Sequence, residues 1–273
     1  MLGCTGENLA HRRTPLLLLL PALLALVGCA TTPQEDEILA STPVVRELWR
    51  EWGSVVHVSR FSRLKPGDQL PAEWQPWGLR SGRRQTEYRL VDSTPGTVLE
   101  AFADRAATGL YRKIRISPQR QPILEWQWRL EQLLPGADLR AASPEDSPAR
   151  LVISFHGDPA KLDFDQRTKL RLAKAVAGEP LPYAMLIYVW SRDIAVETVV
   201  PNPLLDRIRL LVVQSGADRL GTWQLFRRDV LQDYRMAFGE EPDDIVAVGV
   251  LTSSDNSQQS VHALYGDITF RAR

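Results

Sequence analysis

Hydrophobic residues fall into two kinds of pattern along this chain. The first is one block, Leu16 to Val27, apolar and broken only by Pro21. It is too short to cross a bilayer comfortably as a helix, which needs about 20 residues, and it has the length of a secretory-signal core. The second is a series of short runs from Thr86 onward, rich in β-branched and aromatic residues and bounded by turn residues. Such runs read as strands. They predict strands over Thr86–Val91, Thr97–Ala103, Gly109–Ile116, Ile123–Leu130, Arg150–Phe155, Ala184–Trp190, Arg207–Gln214, Thr222–Arg227, Ile245–Leu251 and Val261–Phe270. The separators include Ser93-Thr94-Pro95-Gly96, Pro135-Gly136-Ala137-Asp138, Ser215-Gly216 and Ser253 to Ser257. Trp74-Gln75-Pro76-Trp77-Gly78 reads as a turn whose tryptophans clasp the body of the domain.

Two helical segments interrupt the strands. Asp163 and Gln166 have capping-box spacing before Phe164 to Ala177, and Gly178 and Pro180 stop the run. Asp229 and Gln232 repeat the device, Val230, Tyr234 and Phe238 share one face, and Gly239 ends the segment. Helices do not alternate with strands as a parallel sheet requires. The expected fold is therefore mainly β: an antiparallel β-sandwich, jelly-roll-like and similar to carbohydrate-binding modules. The two short helices cover an edge or an end.

The amino terminus adds a location. His11, Arg12 and Arg13 precede the apolar block, and Leu26-Val27-Gly28-Cys29 follows it. This tetrad resembles the bacterial lipobox, which implies cleavage before Cys29 and lipid on its thiol. The expected organisation is a signal peptide over 1–28, a lipidated tether over 29–43 and a single sandwich domain over 44–273. Val44 to Trp52 reads as a short helix or an extended entry. Ala30 and Thr31 follow the cysteine with no aspartate. By resemblance to the sorting rule of enteric bacteria, this implies the outer membrane, facing the periplasm.

Charge and cysteine count narrow the function. Lys and Arg number 33 and Asp and Glu 33, so no basic excess points to nucleic acid. With lipid on Cys29 no second cysteine remains for a disulfide once residues 1–28 are gone. His57, His156 and His262 are scattered and match no zinc pattern. The chain has no GxSxG elbow and no Gly-rich phosphate loop.

Carboxylates and aromatics remain. Glu125, Asp146, Asp255 and Asp267 lie in or beside predicted strands, and a glycosidase would need two of them across a sugar bond. Turn and cap roles weigh more heavily. Asp255-Asn256 lies in a loop suited to Asx-turns, and Asp267 lies at a bulge in the last strand, where it would hold backbone amides. Asp255, Asn256 and Asp267 could also supply oxygen ligands to a structural calcium. Trp126 and Trp128 share a strand face with Leu130 and read as core. Trp190, at a strand end, reads as an exposed sugar-stacking platform, and Trp223 begins a strand.

Several stretches together resemble the DUF3047 family, bacterial proteins of unknown function. They are Tyr88-Arg-Leu-Val-Asp92, Leu124-Glu-Trp-Gln-Trp-Arg129, Gly136-Ala-Asp-Leu139, Ala149-Arg150, Tyr188-Val-Trp190, Trp223 with Arg227 or Arg228, Asp233-Tyr234, Phe238-Gly239, Asp255-Asn256 and Tyr265-Gly-Asp-Ile268. Together they span Val55 to Phe270. The family often carries Gly-Asp-Asp where this chain has Pro144-Glu145-Asp146. The resemblance implies the extent of the domain and no activity.

The expectation is a lipid-anchored envelope protein, non-catalytic, that binds a glycan or another envelope component. Its candidate ligand residues are Trp190, Trp223, Asp146, Asp255, Asn256 and Asp267. A carboxylate-pair glycosidase and a scaffold lipoprotein of an envelope complex are the alternatives.

Overall fold

The computed structural model describes residues 55–78, 84–94, 96–141, 146–177 and 181–273. Cys29, the tether and Val44 to Trp52 lie outside the described residues. In chain order the strands are β1 (Val55–Ser59), β2 (Trp74–Trp77), β3 (Glu87–Ser93), β4 (Gly96–Asp104), β5 (Ala107–Ile116), β6 (Ile123–Leu130), β7 (Arg150–Phe155), β8 (Ala184–Ser191), β9 (Val199–Pro201), β10 (Ile208–Ser215), β11 (Gln224–Asp229), β12 (Ile245–Ser253) and β13 (Ser260–Arg271). The helices are α1 (Phe164–Ala177) and α2 (Val230–Phe238). The result is a mainly β, antiparallel-rich sandwich of two sheets.

The six-stranded sheet runs β11-β6-β13-β4-β3, with β1 also on β13. The seven-stranded sheet runs β2-β5-β12-β7-β8-β10-β9. The long last strand, β13, pairs with β6 along one side, while its other side pairs first with β4 and then with β1. The change of partner falls at a bulge between Tyr265 and Ile268. Gly266 leaves room there for the Gln127 side chain, whose Cγ would lie 2.4 Å from a Cβ at this position. At the same bulge the Asp267 carboxylate accepts hydrogen bonds from Ser62 N at 3.0 Å and Ser62 Oγ at 2.5 Å. It thereby clamps the 3-10 turn Phe61–Arg63.

The core lies between the sheets. Trp126 and Trp128 of β6 are buried, and the Trp126 ring lies 5.0 Å from Tyr188 of β8 on the facing sheet and 4.9 Å from Phe226 of β11. Such rings dominate the apolar area a core removes from water. The helices start as their caps dictate: Asp163 Oδ1 accepts from Gln166 N at 2.8 Å, and Asp229 Oδ1 from Gln232 N at 3.1 Å. Gly239 ends α2 in the left-handed region at φ 71. On α2, Val230 and Tyr234 are buried, and the helix packs on β10 and β11.

Three features differ from the sequence-based expectation. Trp74–Trp77 is not a turn but an edge strand; β2 pairs with β5 on one side only, which lets Pro76 sit without breaking a ladder. β8 and β10 are parallel in an otherwise antiparallel arrangement. The chain turns back along β9, which is antiparallel to β10, so two reversals restore the direction of β8. The short strands β1 and β9 carry too few residues for their alternation to be read.

Candidate functional site

The two outer faces of the sandwich are unlike. Along β6, Glu125, Gln127 and Arg129 alternate with buried residues. Along β8 every residue is buried. A second apolar cluster accordingly lies behind the seven-stranded sheet, formed by Leu139, Val152, Met185, Ile187, Val189, Ile194, Val200, Leu210 and Val212. Beside it a groove of about 350 Å³ remains open.

The groove is built by register. Trp77 of β2 pairs with Gly109 of β5, and a Cβ at Gly109 would lie 3.1 Å from Trp77 Cε3. The glycine therefore lets the indole lie against the sheet. Tyr111, two residues on, pairs with Gly249 of β12, which pairs with Val152 of β7. Lys113 pairs with Ala247, and Ala247 with Ser154. Small residues thus make the floor. Gly249 is fixed by its surroundings, since a Cβ there would lie 2.6 Å from Leu110 O. Trp77 and Tyr111 form one wall, and Leu181, Pro182 and Met185 form the other. The Tyr111 hydroxyl donates to Gln75 Oε1 at 3.1 Å, which fixes the ring. Lys113 makes no ion pair among the described residues and is exposed.

Flat aromatic faces beside a few hydrogen-bonding groups suit a ligand with an apolar face and a polar rim. No carboxylate lines the groove among the described residues. Among these residues no three His, Cys, Asp or Glu side chains group to hold a metal ion.

One edge of the sandwich is locked by a polar network. The buried Asp233 of α2 accepts from Tyr188 Oη at 2.8 Å and from Arg228 Nε and Nη2 at 2.9 and 2.7 Å. Arg228 also grips Glu197 at 2.6 and 2.9 Å. Burial, then the Asp233 charge, pushes the Tyr188 phenol well above its ordinary range. Alongside, Glu240 accepts from Arg207 at 2.5 Å and from Tyr234 at 2.8 Å. Several stretches that resemble the family therefore serve packing: Tyr188, Arg228, Asp233 and Tyr234 hold sheet to helix.

The residues expected to form a site do not meet in the groove. Trp190 is not a platform: it is 1% exposed, and its Nε1 donates to Gly216 O at 2.9 Å. β8 continues through Ser191, so Trp190 alternates inward with Leu186 and Tyr188 rather than standing at an open end. Trp223, just before β11, is half-buried, and its Nε1 lies buried with no hydrogen-bond partner among the described residues. Asp146 is buried and accepts from Ser257 N at 2.5 Å and from Asn256 Nδ2 at 3.3 Å. It therefore brings Asn256 and the loop holding Asp255 to one corner. Asp146 and Trp190 do line one crevice, but of only about 10 Å³, about one water's space.

Asp267 cannot complete a calcium set with Asp255 and Asn256. It lies seven residues along β13 from Ser260, about 23 Å at strand rise. Glu125 pairs with Arg271 at 2.7 Å and Arg227 at 3.4 Å on the opposite sheet from the groove. The sequence reading made Trp77 a clasp and gave Tyr111 no role in a site. Their signal was glycine at the start of one predicted strand, at 109, and inside another, at 249, which marks close approach of a neighbour.

An open apolar groove on a two-sheet β-sandwich defines this chain as a sandwich protein with a ligand-sized surface cleft. The chain belongs to the family DUF3047, proteins of unknown function, whose model matches residues 72–269. No curated protein matches it. Among solved structures it is similar to the xyloglucanase domain of NopAA from Sinorhizobium fredii, at 8% identity and a TM-score of 0.40, covering 73% of this chain and 93% of that one. The endoglucanase cel12A from Rhodothermus marinus gives 12% identity and a TM-score of 0.40, over 75% and 99%. A family 30 carbohydrate-binding module from Clostridium thermocellum gives 8% and 0.34, over 80% and 98%. At this level no residue of theirs is carried onto this chain.

Proposed function

We propose that this chain is a non-catalytic module that binds a glycan of the bacterial envelope in the groove of the seven-stranded sheet. One observation carries the reading: Trp77 lies across Gly109 beside Tyr111, over a floor of small residues. A sugar ring offers the matching chemistry, an apolar face to stack and hydroxyls for Lys113, Ser154 and Tyr111. Lipid on Cys29 holds the module to a membrane, the outer membrane on its periplasmic side, and residues 29–43 act as the tether.

The test is binding to purified envelope polysaccharides, on an array and by calorimetry. The wild-type chain binds a glycan, and Trp77→Ala weakens that binding about tenfold or more. Equal binding by Trp77→Ala and wild type removes the groove as the site. The anchor is tested separately: Cys29→Ser abolishes incorporation of labelled palmitate, and continued labelling would place the lipid elsewhere.

A further inference from the structure

A second cavity, of about 340 Å³, opens at the seam between the sheets. There β1 of one sheet meets β2 and β5 of the other, and Arg112 of β5 donates to the carbonyls of Val58 at 2.6 Å and His57 at 3.3 Å. The chain as a whole is charge-balanced, yet among the described residues three guanidinium groups, from Arg60, Arg63 and Arg112, line this cavity against the one carboxylate of Glu73. Only Arg112 approaches that carboxylate, at 3.8 Å. The side chains of Arg60 and Arg63 make no hydrogen bond or ion pair among the described residues, and both are exposed.

The backbone that carries them is fixed. Phe61 is buried, with its ring 5.4 Å from Trp74, and Ser62 is clamped by Asp267. With residues 61 and 62 tied down, Arg60 and Arg63 are held at the cavity with their charge unspent. His57, on the same wall, has a buried Nδ1 without a partner among the described residues. Burial first, then Arg60, with Arg271 and Arg63 adding and Asp267 opposing, holds its imidazole below the ordinary histidine range.

We propose that this cavity binds a phosphate group, held by Arg60, Arg63 and Arg112 with His57 on its wall. A tetrahedral anion offers oxygens to several guanidinium forks at once, whereas a flat carboxylate is satisfied by one. A phospholipid headgroup and a free phosphate present the same chemistry. The site is independent of the glycan groove.

The test is calorimetry on the full chain in detergent and phosphate-free buffer. One arm titrates inorganic phosphate; the other titrates dihexanoyl phosphatidylglycerol below its micelle concentration. The expected result is binding in at least one arm, weakened about tenfold or more in the Arg60→Gln/Arg63→Gln double variant. Both side chains are exposed, so this variant keeps the wild-type melting temperature. Binding of inorganic phosphate assigns a free phosphate, and binding of the phospholipid alone assigns a headgroup. Binding in neither arm, or equal binding by the double variant, overturns the proposal.

Discussion

The outer face of the six-stranded sheet and the outer face of the seven-stranded sheet obey different rules. On the first, acids sit beside bases: Glu125 with Arg227 and Arg271, Glu100 with His262 at 2.9 Å, and Glu87 with Arg89. On the second, apolar residues continue behind the sheet, from Val152 through Ile187 to Leu210. A sandwich asks each sheet for only one apolar face, the one turned to its partner. A sheet apolar on both faces has a second surface to cover. Here the segments bearing Leu139 and Ile194, which lie outside the sheet, cover part of it. Beside them lies the groove, which in the proposed function a ligand covers.

Predictions can break this contrast at several strengths. The largest effect belongs to the core that both sheets share. Trp126→Ala removes a ring packed on Tyr188, Phe226 and Trp128 and costs about 3–5 kcal/mol in urea unfolding. A cost below 1 kcal/mol would mean that the sheets are not held together there. Next comes Asp233→Ala, which strips Arg228 and the Tyr188 hydroxyl of a buried partner. It costs about 3 kcal/mol, and Tyr188→Phe only about 1 kcal/mol. Similar costs for the two variants would show that the ion pair with Arg228 contributes nothing.

Trp77→Ala separates binding from stability. It lowers glycan binding about tenfold, about 1.4 kcal/mol, while unfolding changes much less than in Trp126→Ala. A loss of stability as large as that of Trp126→Ala would make Trp77 a core residue and not a wall. The Glu240 carboxyl gives a pH signature. Burial opposes its ionisation, but hydrogen bonds from Arg207 and Tyr234 outweigh that and hold it below the ordinary carboxylate range. Its folded pKa is depressed, so its stabilisation is present above about pH 4.5 and is lost as pH falls through the folded value. Glu240→Gln flattens the acid limb of the melting curve; an unchanged limb removes Glu240 as a contributor. The smallest effect is on the charged face: Arg271→Gln stays within about 0.5 kcal/mol of wild type by thermal melting. A larger change would show that this face, too, carries structure.

Much of the fold was legible because alternation is a local property. Ile123–Leu130 and Arg150–Phe155 occupy the residues that their patterns predict. Both helices begin at their predicted aspartate caps, since a cap needs only neighbours in sequence. The candidate site was far less legible. Asp146 and Asn256 do meet, but as a buried loop clasp. Trp190 misleads because a strand end in sequence need not be an open end in space: β10 flanks β8 through Ser191, and β7 flanks it as far as Val189. Trp77 misleads the other way, because a short Trp-Pro run reads as a turn until an edge partner makes it a strand.

The sequence alone therefore determined most of the stretches that extend, though not β1, β2 or β9, where both helices start, and that Cys29 follows a signal-like block. Those depend on side chains a few residues apart. Only the tertiary structure decided that the second sheet is apolar on both faces, that Gly109 and Gly249 hollow a floor beneath Trp77 and Tyr111, and that Arg60, Arg63 and Arg112 converge at the seam. Those depend on strand order and register, which bring together residues far apart along the chain. No local pattern encodes that distance.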